Sequence, residues 1–268
     1  MNQDDKKRAA VKIKETSTSG KSQTALQASL TDDKQSVLKK YRDIVIGSDS
    51  LWQLIRYELM TMLLSPIPGA LGLVLRKRLY PKLFKKVGRN VIFGKSVTIR
   101  HPGKITLGNN CVLDDYVVLD AKGENNNGIT IGDNVIIGRN TSISCKNGDI
   151  SIGDNSNIAT NCLIQSARKV EIGKNVLFAA YCYVIGGGDH AYDRTDIPIM
   201  SQGQIVRGIT IADDCWLGAA VLVQDGVHIS NGSIIGSGAV VTKNISSYAI
   251  ATGLPAKVIG SREQQQDK

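Results

Sequence analysis

From Val87 onward one pattern governs the chain: a six-residue unit made of an aliphatic or aromatic residue, Gly or Ala, two polar or small residues and a small side chain. It is visible in FGKSVT, LGNNCV, IGDNVI, IGRNTS, IGDNSN, IATNCL, IGKNVL, IADDCW, LGAAVL and IGSGAV. Such a unit is too short for helical periodicity. It fits one flat strand and a corner, with the apolar side chain inward and the following Gly, Asn or Asp relieving the bend by adopting positive φ. Three units close a triangular coil of about 18 residues, so the repeat predicts a solenoid. Coil starts at Val87, Leu107, Ile131, Ile152, Ile172, Ile211 and Ile229 are spaced by 20, 24, 21, 20, 39 and 18 residues. The interval of 39 holds one coil plus 21 extra residues, which places an insertion at 186–208 (GGGDHAYDRTDIPIMSQGQIVRG). A long loop interrupting a regular array is usually functional.

Composition agrees. With 27 Gly but only three Phe, two Trp and eight Tyr, the chain is rich in turns and short of the bulky residues that fill helix bundles. Its five cysteines form no CxxC pair and no signal-like segment precedes them, which predicts a reduced, cytoplasmic protein. Cys111, Cys162, Cys182 and Cys215 each fall four positions after an inward apolar residue, in the small corner slot, and read as packing residues. Cys145 follows Ile143 by two and reads as an exposed or half-buried thiol.

The net charge of +9 divides into +3 for residues 1–50, +6 for 51–86 and zero for the remainder. A neutral body with a local basic appendage argues against nucleic-acid binding and for a local electrostatic contact. Residues 1–31 are polar, with too few large apolar groups to offset the entropy of ordering, and read as a flexible tail. Residues 32–86 read as a helical, basic region. Its apolar spacing is helical at Val37, Leu38, Tyr41, Ile44 and Val45, and again from Leu51 to Leu64, with Asp49 or Ser50 as cap. A third helix is expected over Ala70–Phe84, after the breaker Ser65-Pro66-Ile67-Pro68-Gly69. Leu59–Leu75 carries no charge, but its prolines and short length argue against a membrane span. Residues 51–86 have two readings: a cap on the open first coil, or a peripheral contact with the inner face of the membrane. The β-helix is expected over 87–245 and a C-terminal extension over 246–268.

The hexads, the His-bearing insertion and the run CWLGAAVLVQDGVHISNGSIIGSGAVVTKNISSYAIATGLPAKVIG together resemble the hexapeptide-repeat acyltransferases, most closely their sugar O-acetyltransferase branch. The resemblance covers roughly residues 87–260. It implies a left-handed parallel β-helix preceded by a short α-helical region, a homotrimer, and acetyl-CoA meeting a carbohydrate or lipid-linked glycan acceptor between neighbouring chains. No counterpart of the helical region exists in the short members of that branch, so the acceptor is not carried over.

Acyl transfer to a hydroxyl needs a base, and histidine suits the task at neutral pH. By its place in Gly186-Gly187-Gly188-Asp189-His190, His190 matches the family's general base, and Asp189 and Asp193 read either as a carboxylate orienting its imidazole or as loop caps. By position in the motif the resemblance assigns the CoA groove to Trp216 and Ala219 against the pantetheine, and to Ser237 and Thr242-Lys243 toward the adenine. Lys257 falls beside the 3′-phosphate. Where the family often has a further charged residue the chain has Gly260, which shifts that phosphate contact toward Arg262. In the insertion Tyr192 is placed to stack on a sugar ring and Arg194 to bind an acidic one. His101 and His228 read as structural or solvated, and no histidine spacing suggests zinc, so no metal is expected. No nucleophile elbow or thiol-histidine pair points to an acyl-enzyme. N-acylation of an amino sugar and a non-catalytic β-helix scaffold are the alternatives.

Overall fold

The computed structural model describes residues 35–263, so the expected N-terminal tail lies outside the described residues. From Lys86 the chain winds into a parallel β-helix with three sheets as its faces, of seven, nine and seven strands. Each coil start inferred from the hexads pairs with the next in register: Val87 with Leu107, Leu107 with Ile131, Ile131 with Ile152, Ile152 with Ile172, Ile172 with Ile211, and Ile211 with Ile229. The first face therefore carries a continuous inward column of aliphatic side chains, each 3% exposed or less from Leu107 onward.

The corners narrow one expectation, that Gly, Asn or Asp relieves the bend. Positive φ falls not on the glycine after the aliphatic residue but two positions later, at Asn90, Asn110, Asn134, Asn155 and Asn175. Asn tolerates the left-handed region because its short amide bonds locally. Here the amides also bond one another from coil to coil, at 3.3, 3.0, 2.9 and 3.2 Å. The glycine is required for a different reason. A Cβ on Gly88 would lie 2.5 Å from the backbone of Gly108, so at this corner the coils approach too closely for a side chain.

Ahead of the solenoid lie α1 (Val37–Tyr41), α2 (Leu51–Leu64) and α3 (Gly69–Leu79). Ser50, not Asp49, caps α2, accepting from the Gln53 amide at 3.4 Å. Helix α3 stops short of the expected Phe84 and passes into a 3-10 turn, Tyr80–Lys82, because Pro81 lacks the amide the helix would need. The helices close the first coil. Tyr57 donates to the Ile99 carbonyl at 2.6 Å, and burial pushes its phenol up to about 12. Phe93, fully buried, holds the rings of Tyr80 and Phe84 at centroid distances of 5.6 and 5.5 Å. Arg76 is buried and donates to the carbonyls of Phe93, Leu64 and Ile67 at 3.0, 2.9 and 2.7 Å, so it is removed from the basic surface in which the sequence places it. His101 is structural: its Nε2 lies 3.0 Å from the Asp43 carbonyl. No helix among the described residues is long and apolar enough to cross a membrane.

At the other end Ala249–Thr252 joins the second face, and Lys257–Ser261 folds back antiparallel on it. All five thiols are free and buried. Cys145 is therefore not the exposed or half-buried thiol expected: it points into the core, where burial pushes its thiol up to about 12.

Candidate active site

The insertion leaves the third face after Gly186 as a two-stranded antiparallel arm. His190 pairs with Gln204 and Asp189 with Ile205. The exit needs glycine. Gly187 and Gly188 have φ of 111° and 121°, and a Cβ on Gly187 would meet that of Ala167 at 2.4 Å. Asp225 secures the return leg, its carboxylate accepting from the amides of Arg207 and Gly208 at 2.7 and 2.8 Å. The outer loop is tied by Gln202, which accepts from the Arg194 amide at 3.0 Å and donates to the Arg194 carbonyl at 2.7 Å.

The arm presents His190 half-buried, with Nδ1 enclosed and without a hydrogen-bond partner and Nε2 3.5 Å from the side-chain amide of Gln204. Neither carboxylate expected to orient the ring does so. Asp189 turns to Arg207, at 3.6 Å, and Asp193 makes no hydrogen bond to the imidazole. Gln204 stands in their place. Arg194 is also committed: Asp196 accepts from its guanidinium through both carboxylate oxygens, which takes up the charge intended for an acidic sugar. Tyr192 is 79% exposed and free to stack.

The groove residues divide into two groups. Trp216 lies on the second face between Leu177 and Ile234, half-exposed. Ala219 and Ser237 follow at the corner between the second and third faces, one coil apart. A Cβ on Gly218 would meet the Ser237 amide nitrogen at 2.6 Å, so these corner turns are closely stacked. Trp216, Ala219 and Ser237 stand exposed together along this corner, called the cradle below. Lys257 is exposed on the returning C-terminal strand, next to this corner, since the Ala256 amide bonds the Val240 carbonyl at 2.8 Å. Thr242 and Lys243, also exposed, lie across the third face, at the corner from which the arm springs. Arg262 does not replace a phosphate contact. It donates to the Gly232 carbonyl at 2.7 Å and pairs with Asp214 at 3.0 Å. His228 is exposed on the first face. Among the described residues no group of three or more His, Cys, Asp or Glu is arranged to hold a metal.

Gln204, Asp225 and Arg207 were missed by sequence reasoning. Only the antiparallel register of the arm and the stacking of the next coil bring them to the site, and neither leaves a periodic signal.

The chain is similar to several proteins named as acetyltransferases. The hexapeptide repeat of succinyl-transferase matches residues 86–121, 128–166 and 208–243. A protein of Mycobacterium tuberculosis named a probable acetyltransferase is 37% identical over 135 residues, covering 50% of this chain and 45% of the relative. The galactoside O-acetyltransferase of Escherichia coli is 33% identical over 112 residues, covering 41% and 53%. The chain spans about half the length of these relatives. Among solved structures, the polysialic acid O-acetyltransferase OatWY shares the fold with a TM-score of 0.51 and 22% identity, covering 65% of this chain and 81% of that one. The chain thus folds as a parallel β-helix and carries three segments that match the hexapeptide repeat. The relatives it resembles are named as acetyltransferases, a galactoside O-acetyltransferase among them.

Proposed function

We propose that the protein is an acetyl-CoA-dependent acetyltransferase that esterifies a carbohydrate hydroxyl, with His190 as general base. The observation that carries this reading is the arm: 21 residues added to a regular coil hold one half-buried histidine whose Nδ1 has no protein partner. In this reading His190 accepts the hydroxyl proton as the acceptor oxygen bonds to the acyl carbon. The carbon–sulfur bond then breaks and the imidazolium returns the proton to the departing thiolate, so charge and protons balance. Gln204 lies beside the ring, its amide nitrogen 3.5 Å from Nε2, and gives way there to the acceptor hydroxyl. The cradle at Trp216, Ala219 and Ser237 takes the pantetheine with Lys257 of the same chain toward the phosphates, while Thr242 and Lys243, on the arm's edge, serve the adenine end from the neighbouring copy. Tyr192 offers its ring to the sugar.

The arm and the cradle lie at opposite edges of the third face, which supports a site shared between copies. A second chain alongside would bring the arm of one to the cradle of the other, and a homotrimer repeats that contact with closure. The second face is suited to such packing. Ile136, Leu177 and Trp216 stand outward in one column there, each more than two-fifths exposed.

The test supplies labelled acetyl-CoA with free sugars, nucleotide sugars, lipid-linked oligosaccharides and amino sugars, and reads products by mass spectrometry. A hydroxylamine-labile ester is expected. A stable amide on an amino sugar would move the reaction to N-acylation, and transfer to none of the acceptors would leave a scaffold. His190→Ala is expected to lower turnover by about a hundredfold or more, the usual worth of a general base. Light scattering should give three subunits, and a mass of one, near 28.8 kDa, would contradict the shared site.

A further inference from the structure

Helix α2 turns Leu54, Tyr57 and Leu64 onto the first coil. On its other side Leu51, Trp52, Ile55, Leu59, Met62 and Leu63 are exposed, Trp52 by 69% and Met62 by 65%. At about 100° per residue these six side chains fill one unbroken arc of roughly 120° with no polar member. Helix α3 continues the pattern. Gly72 and Arg76 face inward, while Leu71, Val74 and Arg78 share an outward stripe beside Lys77. Lys82, Lys85 and Lys86 follow, also exposed.

Among the described residues none of these five cations has a carboxylate within ion-pair distance. The single acidic side chain in 51–86, Glu58, accepts from the Tyr41 hydroxyl. Apolar surface of this extent on a helix pair calls for a partner. The cations select its chemistry: a second copy of the same face would set like charges against each other, whereas an anionic surface neutralises them.

We propose that this face of α2 and α3 docks the protein on an anionic lipid bilayer, lying in the interface with Trp52, Met62 and Leu71 inserted and the basic residues among the headgroups. This stands apart from the acyl-transfer reading, and its test needs no acceptor.

The experiment floats the full chain with vesicles of phosphatidylcholine, with and without phosphatidylglycerol, at low salt and at about 0.5 M salt, where the screening length is roughly 4 Å. Flotation is expected with the anionic vesicles at low salt and should fall steeply with neutral lipid or high salt. Lys77→Gln with Arg78→Gln should lower the partition coefficient about thirtyfold, from the usual contribution of a cation beside an anionic leaflet. Trp52→Glu with Met62→Glu should lower it at least about tenfold. All four positions are exposed, so both variants should keep the unfolding transition of the parent. Absence of flotation with anionic vesicles at low salt would overturn the proposal, as would flotation indifferent to both double variants. So would a drop in oligomeric mass on Trp52→Glu with no flotation of either protein, which would give the face to a second copy.

Discussion

On the first face of the solenoid the positions between buried aliphatics are Thr130, Ser151 and Glu171, and the adjoining corner ends in a ladder of Asn. On α2 the positions opposite the buried Leu54 and Tyr57 are Leu, Trp, Ile and Met. The repeat settles both sides of the polypeptide there, because every coil must stack on two neighbours and still meet water. The cap is settled only where it touches Phe93 and Ile99. Its outer surface is left apolar, which solvent alone does not explain.

The largest expected effect falls where the two regions meet. Phe93→Ala removes the ring shared by Tyr80, Phe84 and the second coil face, and should cost about 3 to 5 kcal/mol in urea unfolding. A loss below about 1 kcal/mol would mean that the cap is held elsewhere. Within the solenoid, Asn134→Ala places an alanine at φ 57° and cuts the amide ladder on both sides. A cost of about 1 to 2 kcal/mol is expected, whereas the same change at Asn126, off the ladder, would not test it. The smallest effect is a null one. In the folded protein at pH 8 iodoacetamide should leave Cys145 unmodified, because the thiol is buried and titrates near 12, and should label it once urea unfolds the chain. Rapid native labelling would show that the coil opens around 120–149.

The solenoid was legible because a period repeats its evidence: seven coil starts, each weak alone, agree on one register. The reason given for the glycines was not legible, since hexad spacing does not separate a position needing positive φ from one needing close approach. Asn134 and Gly88 show that these are two different residues of the unit. His190 was legible from its place in the insertion. Its surroundings were not, because an antiparallel arm pairs residues by local register, setting Gln204 beside the ring and turning Asp189 toward Arg207. Arg76 reads as one more cation in a basic run until the helix packs and three carbonyls claim it.

The central claim is that the histidine arm of one chain serves the cradle of another. Co-expressing His190→Ala with Ser237→Trp, which fills the cradle, tests it directly, since each variant alone is expected to be nearly inactive. If the site is shared, mixed trimers regain about a third of the parental acetyl transfer, since each holds one intact arm beside an intact neighbouring cradle at one of its three interfaces. No recovery in mixed trimers of confirmed composition would place arm and cradle in one chain and contradict the account.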